Sequence, residues 1–151
     1  MNNYSQAQIP PGMLLRVIQD KQMKIAYYEQ LYKMTEDNQY IEFINGILFD
    51  EKNHLHMFTN LYNGFFGEKP PVSEPEISQM ASFIHGVKNS IKLELDSHQF
   101  YSNVLFSDTN LSVREVFAQA LADENRHNAK CNFIYTQLLE EIKETRIGSY
   151  E

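Results

Sequence analysis

One short pattern that occurs twice constrains the fold more than anything else in the chain. Asp50-Glu51-Lys52-Asn53-His54 returns as Asp123-Glu124-Asn125-Arg126-His127, with Glu and His three residues apart in each copy. On a helix that spacing puts both side chains on one face, where they can hold one metal ion together. The offset of 73 between the copies also places Tyr28 on Tyr101, Leu48 on Leu121, Leu61 on Ile134 and Tyr62 on Tyr135 without a gap. We read an internal duplication of a helical hairpin, each copy carrying half of a site. The pairing that fails is Lys21 on Glu94.

With 151 residues, 42% of them hydrophobic, the chain can bury one core and leaves little room for a second domain. Twenty acidic against 13 basic residues give a net charge of −7, which argues against a nucleic-acid partner or an anionic membrane surface. No basic-then-apolar leader and no membrane-length apolar run are present, so a soluble, cytoplasmic protein is expected. The single cysteine, Cys131, rules out an internal disulfide, a rubredoxin-type iron centre or a zinc ribbon on this chain. An electron donor for any redox chemistry must come from outside.

Residues 1–12 are polar, end in Pro10-Pro11-Gly12 and read as an arm. A bundle over 13–143 follows, with a tail over 144–151 expected to fray. The seam of the first helix runs Leu14, Ile18, Lys21, Ile25, Tyr28, Tyr32, with Lys21 as the intruder. A polar turn, Thr35-Glu36-Asp37-Asn38, offers Thr35 or Asp37 as a cap, and a second seam follows: Ile44, Ile47, Glu51, His54, Phe58, Leu61. So short a turn makes the two helices antiparallel, with Lys21 level with the motif and Glu29 too near the turn to take part. The stretch 63–86 contains Gly64, Gly67, Pro70, Pro71 and Pro75 and reads as a crossover running the length of the bundle, with room for a short helix over Glu76–Ile84. The third seam is Val87, Ile91, Glu94, His98, Tyr101, Leu105. The fourth, with Ser112 as its expected cap, is Phe117, Ala120, Glu124, His127, Cys131, Ile134, continuing to Leu138.

Glu51, His54, Glu94, Glu124 and His127 thus stand at one level, in places where a bundle keeps Leu or Ile. Carboxylates left alone in a dry core cost several kcal/mol each, and a bound cation removes that cost. Carboxylate oxygens and imidazole nitrogens are what iron, manganese and zinc accept. The opposing view is a seam rotated to put these charges at the surface, against which the duplicated register stands. His98, one turn after Glu94, is a substitute ligand, an outer donor or a core histidine; Cys131 reads as a small hydrophobe.

At these residues the chain resembles the ferritin-like di-iron carboxylate superfamily, and within it rubrerythrin-type domains lacking the rubredoxin module. The resemblance covers about residues 13–140. It implies an all-α four-helix bundle of two antiparallel hairpins, with Glu51 and Glu124 bridging two metals, His54 and His127 as end ligands and Glu94 as an end carboxylate. It further implies Asp50 and Asp123 as acceptors for the histidine N–H groups, and Tyr28 and Tyr101 as hydroxyl donors to the carboxylates. The activity implied is an oxidoreductase taking peroxide or O₂, or oxidising Fe(II), with an external electron donor.

Lys21 departs from that pattern, which calls for Glu there. Three carboxylates and one ammonium leave a charge of −2, which balances one divalent ion rather than two. A site for a single metal, or for a second one held only weakly, is therefore expected, the Lys21 ammonium standing in for part of the lost charge. The alternative has Lys21 snorkelling out and Asp20 or Gln22 turning in. Two rivals to the enzyme are an iron-storage cage, disfavoured by the lack of a distinct fifth helix after residue 140, and a non-catalytic bundle in which Lys21 has ended the chemistry. A homodimer is expected from Phe65 and Phe66, which read as exposed on the crossover.

Overall fold

In a computed structural model that describes residues 9–148 apart from Ser73 and Thr109, the chain forms four helices and, among the described residues, no strand. They are α1 (Pro11–Tyr32), α2 (Asn38–Phe66), α3 (Phe83–Ser107) and α4 (Leu111–Gly148). Local chemistry sets each boundary. Pro11 opens α1, where its missing N–H costs nothing. The Asp37 carboxylate accepts from the Gln39 and Tyr40 amides and caps α2. Gly67, at φ 70°, ends that helix in the left-handed region. Ser82 caps α3 by accepting from the His85 amide, and the Asn110 side chain accepts from the Val113 amide to start α4.

Several boundaries differ from those expected. Helix α2 continues through Gly64 to Phe66, so the crossover covers 67–82 rather than 63–86. No helix forms over Glu76–Ile84 until Phe83, because the Ser82 cap fixes the start of α3. Ser112 lies inside the first turn of α4, Asn110 having taken the capping role. The chain is helical to Gly148 rather than frayed from 144; of the arm expected over 1–12, residues 1–8 lie outside the described residues, while Ile9 is buried in a core and Pro11 and Gly12 already belong to α1.

Two apolar cores fill the bundle. The first gathers Ile9, Leu14, Val17, Phe58, Leu61, Tyr101, Val104, Val113 and Phe117, around the ends of α2 and α3. The second gathers Tyr27, Leu31, Tyr40, Ile44, Ile47, Val87, Cys131 and Ile134 at the opposite end. Since Phe66 packs on the first core and Phe83 on the second, the crossover traverses the bundle, as expected. Its Ile77 and Met80 are seated in the second core. Gly86 makes room for Met80: a Cβ there would lie 2.7 Å from Met80 Sδ and 2.8 Å from Leu31 Cδ1. Phe65 and Phe66 belong to α2 and are half-buried against the first core, so they are not the exposed pair expected of the crossover. Among the described residues, no helix is long and apolar enough to cross a membrane.

Candidate functional site

Between the two cores lies a layer with no solvent exposure at all, made of Lys21, Lys24, Glu51, His54, Glu94, Glu124 and His127. Every helix contributes. Lys21 and Lys24 come from successive turns of α1, Glu51 and His54 from α2, Glu94 from α3, and Glu124 and His127 from α4.

The two ammonium groups occupy two distinct seats. Lys24 Nζ lies 3.0 Å from Glu94 Oε2, 2.5 Å from Glu124 Oε2 and 3.7 Å from Glu51 Oε1. The His127 Nδ1 atom faces this group too, 3.5 Å from Glu51 Oε1 and 3.6 Å from Glu94 Oε2. Lys21 Nζ lies 2.7 Å from Glu51 Oε2 and 2.5 Å from Glu124 Oε1, with His54 Nδ1 3.6 Å from that same Glu51 oxygen. Glu51 and Glu124 therefore span both seats, one oxygen to each. Glu94 serves only the Lys24 seat.

Around this centre the histidines are held reciprocally. His54 Nε2 is bonded to Asp123 at 2.7 Å, on the neighbouring motif, and His127 Nε2 to Asp50 at 3.0 Å. Each ring thus donates outward to a carboxylate and turns its Nδ1 inward, the arrangement that orients an imidazole toward a cation. Arg126 bridges Asp50 and Asp123 at the rim, at 3.1 and 2.6 Å. The Tyr28 hydroxyl donates to Glu94 Oε1. Both Nδ1 atoms and both Glu51 oxygens are buried without a well-aligned hydrogen bond, although Glu51 is ion-paired.

Burial opposes charge on the two lysines, the three carboxylates and His127, and mutual attraction overcomes it for most. Burial pulls the lysines down, but carboxylates, Glu51 and Glu124 for Lys21 and Glu94 with Glu124 for Lys24, hold both above the usual lysine range. Glu51 and Glu94 are raised by burial and lowered further, Glu51 by both lysines and Glu94 by Lys24, to well below the usual carboxylate range. Three carboxylates against two ammoniums leave one negative charge, which one proton neutralises. Burial raises Glu124, yet Glu124 already meets both lysines. The better place for the proton is His127, which burial lowers but the facing Glu51 and Glu94 carboxylates push up to about 10. A bare Nδ1 lone pair would otherwise face two carboxylate oxygens.

Of the residues singled out by sequence, Glu51, Glu94, Glu124 and His127 converge as one potential ligand group, with ligating atoms all within 4.8 Å of one another. His54 adjoins the second seat instead. Lys21 points inward, so the alternative in which Asp20 or Gln22 replaces it is not adopted. Asp20 instead accepts from Ser97 and from Tyr101, each at 3.3 Å. Tyr101 is therefore not a donor to a central carboxylate; its ring covers the Lys21 ammonium at 4.9 Å from the centroid. His98 is half-buried and takes no part in the network. Glu29 pairs with Lys52 at the surface, as its position predicts. Burial pushes Cys131 up to about 11, in keeping with an inert core thiol.

Lys24 is the residue that sequence reasoning missed. The signal was present, since Lys24 follows Lys21 by three residues, the spacing at which Glu and His share a face in both motifs. The expected seam passed to the more hydrophobic Ile25 beside it.

Against two metal ions the donors fit and the cations do not. Two carboxylates that reach both seats and two inward Nδ1 atoms suit a pair of ions, but an ammonium stands in each seat. A cleft of about 230 Å³ between α1 and α3, lined by Arg16, Asp20, Asp96, Ser97 and Tyr101, stops short of the centre behind Asp20 and Tyr101. A larger one of about 550 Å³ under the crossover, lined by Met23, Tyr27, Met80, His85 and Lys92, includes no residue of the layer either.

No family model matches the chain. It is 26% identical over 114 residues to YhjR, an uncharacterised protein of Bacillus subtilis strain 168, covering 76% of this chain and 78% of that one. Its fold is shared with the solved structure of a hypothetical protein from Pyrococcus furiosus, with a TM-score of 0.75, 18% identity and coverage of 90% of this chain and 94% of the other.

Proposed function

We propose that this chain is a ferritin-like, rubrerythrin-type bundle in which two lysine ammonium groups have taken the seats of two metal ions, and that it serves as a non-catalytic bundle rather than a di-iron oxidoreductase. The observation that carries this reading is the placement of Lys21 and Lys24, fully buried, with Nζ atoms 2.5–3.7 Å from the carboxylates a metal pair would need. With one added proton the layer is neutral, so two divalent ions would add four uncompensated positive charges to a dry core. Access argues the same way, since neither cleft reaches the layer. The internal duplication of a hairpin is part of the proposal, supported by the reciprocal His54–Asp123 and His127–Asp50 bonds at the same offset.

The test is to load the purified protein anaerobically with Fe(II), remove free metal, count iron per chain and then add peroxide. Iron well below one per chain and no faster peroxide loss than with free iron are expected. Two irons per chain with rapid oxidation would overturn the proposal.

A second reading keeps a peroxide- or O₂-handling oxidoreductase with one iron, manganese or zinc ion and an external electron donor. It is favoured by the inward, unbonded Nδ1 atoms and by the loosely satisfied Glu51 carboxylate, which are what a cation would complete. One tightly held, redox-active ion per chain in the same experiment would favour it.

A further inference from the structure

The two seats differ, and the difference rests on the lysine-for-metal reading above. Around Lys24 Nζ all four groups of a complete N/O ligand set are present: Glu51 Oε1, Glu94 Oε2, Glu124 Oε2 and His127 Nδ1. Around Lys21 Nζ there are three, Glu51 Oε2, Glu124 Oε1 and His54 Nδ1, and the fourth position is Lys21 itself. Lys21 is thus both a lost ligand and a substitute cation, whereas Lys24 is only a substitute cation.

We propose that Lys24 alone closes an otherwise complete site for a single divalent transition-metal ion, formed by Glu51, Glu94, Glu124 and His127. Three carboxylates and an imidazole are a set that Zn(II) and Co(II) accept in four-coordinate geometry. His127 Nδ1 has no hydrogen-bond partner, although its residue is fully buried, and its Nε2 is fixed outward by Asp50. Charge agrees with geometry. Without the Lys24 ammonium, three carboxylates and Lys21 leave −2 with His127 neutral, and one divalent ion cancels it. Removing the Lys21 ammonium gives the same sum, but the ion would have to enter a seat of three groups while Lys24 still blocked the other.

Lys24→Met keeps the alkyl length of the side chain and deletes its charge, and Lys21→Met is the matched control. Each variant and the original protein is titrated with Co(II), followed by the visible absorption of bound cobalt, by metal count after desalting and by the shift in Tm. The expected result is about one Co(II) per Lys24→Met chain, bound at least about tenfold more tightly than by the original protein, with a raised Tm. Lys21→Met should gain nothing, and His127→Ala added to Lys24→Met should abolish the cobalt absorption.

No binding by Lys24→Met, or equal binding by Lys21→Met, overturns the inference. If Lys24→Met folds only when cobalt is present, the rescue itself supports it. Lys24→Gln, whose amide can still donate to Glu124, covers failure of the methionine variant, and if neither folds with or without cobalt the inference fails. The iron count on the original protein decides the proposed function separately. An original protein that takes iron overturns that proposal, and this inference falls with it only if Lys24→Met then binds no more tightly than the original.

Discussion

At the scale of single residues, the centre buries two ammonium groups among three carboxylates. A buried ion costs several kcal/mol to desolvate, and the cost is recovered only when its partners are close and complete. Lys21 and Lys24 meet that condition with two and three carboxylate partners. Lys21→Ala should therefore destabilise the fold by about 3–5 kcal/mol, as breaking a buried pair does, read from urea unfolding followed by circular dichroism. A loss under about 1 kcal/mol would mean that water or a shifted side chain replaces the ammonium.

The same residues set the dependence on pH. Glu51 and Glu94 are depressed below their ordinary value of 4.5, so their contribution is present above that pH and is lost as pH falls through their folded values. His127 is raised from 6.5 to about 10, so its contribution is complete below 6.5 and is lost as pH rises toward 10. Stability of the metal-free protein should peak between about 4.5 and 6.5 and decline on both sides, as a series of Tm measurements would show. His127→Gln should flatten the alkaline decline and leave the acid limb in place. An unchanged alkaline limb would place the neutralising proton elsewhere, on Glu124.

At the scale of elements, α2 and α4 were legible from their apolar spacing alone. Every residue expected from Ile44 to Leu61 and from Phe117 to Ile134 is buried. Helices α1 and α3 begin earlier than expected, at Pro11 and Phe83, and their seams were stepped by one residue in places. The structure buries Lys24 and Leu31 rather than Ile25 and Tyr32, and Ser90, Ser97 and Val104 rather than Ile91, His98 and Leu105. One residue is about 100° around a helix; hydrophobicity drew the seam onto half-buried Ile25 and Ile91 past buried Lys24 and Ser90, while Leu31, Ser97 and Val104 were missed by a single step of spacing. The pairing of partners explains the rest: offset by 73, Lys24 falls on Ser97, so a long side chain in one half stands where the other half has a short one. The crossover depends on one such small residue. Gly86→Ala should cost about 1 kcal/mol, because the side chains it meets are flexible ends, and should speed proteolysis within residues 74–81 as Met80 is displaced. Undiminished protection would mean that Met80 is not what fastens this segment.

For the whole molecule, the polar layer is a partition between two apolar cores, and its symmetry is incomplete at two positions of α1. Where α3 supplies Glu94 and Ser97, α1 supplies Lys21 and Lys24. The duplication proposed above therefore specifies what a symmetric layer would contain. Lys21→Glu together with Lys24→Ser gives α1 the α3 pair, removes both ammoniums and leaves four carboxylates and two inward Nδ1 atoms around two seats. Four negative charges balance two divalent ions, so the double variant should bind about two Co(II) per chain and should unfold readily without metal, because nothing else compensates the carboxylates. Lys24→Met, retaining Lys21, should stop at about one. Metal counts after desalting and Tm with and without cobalt give both answers. Should the double variant also stop at one, the His54 seat lacks more than a carboxylate, and the two halves would differ in backbone placement as well as in their α1 side chains.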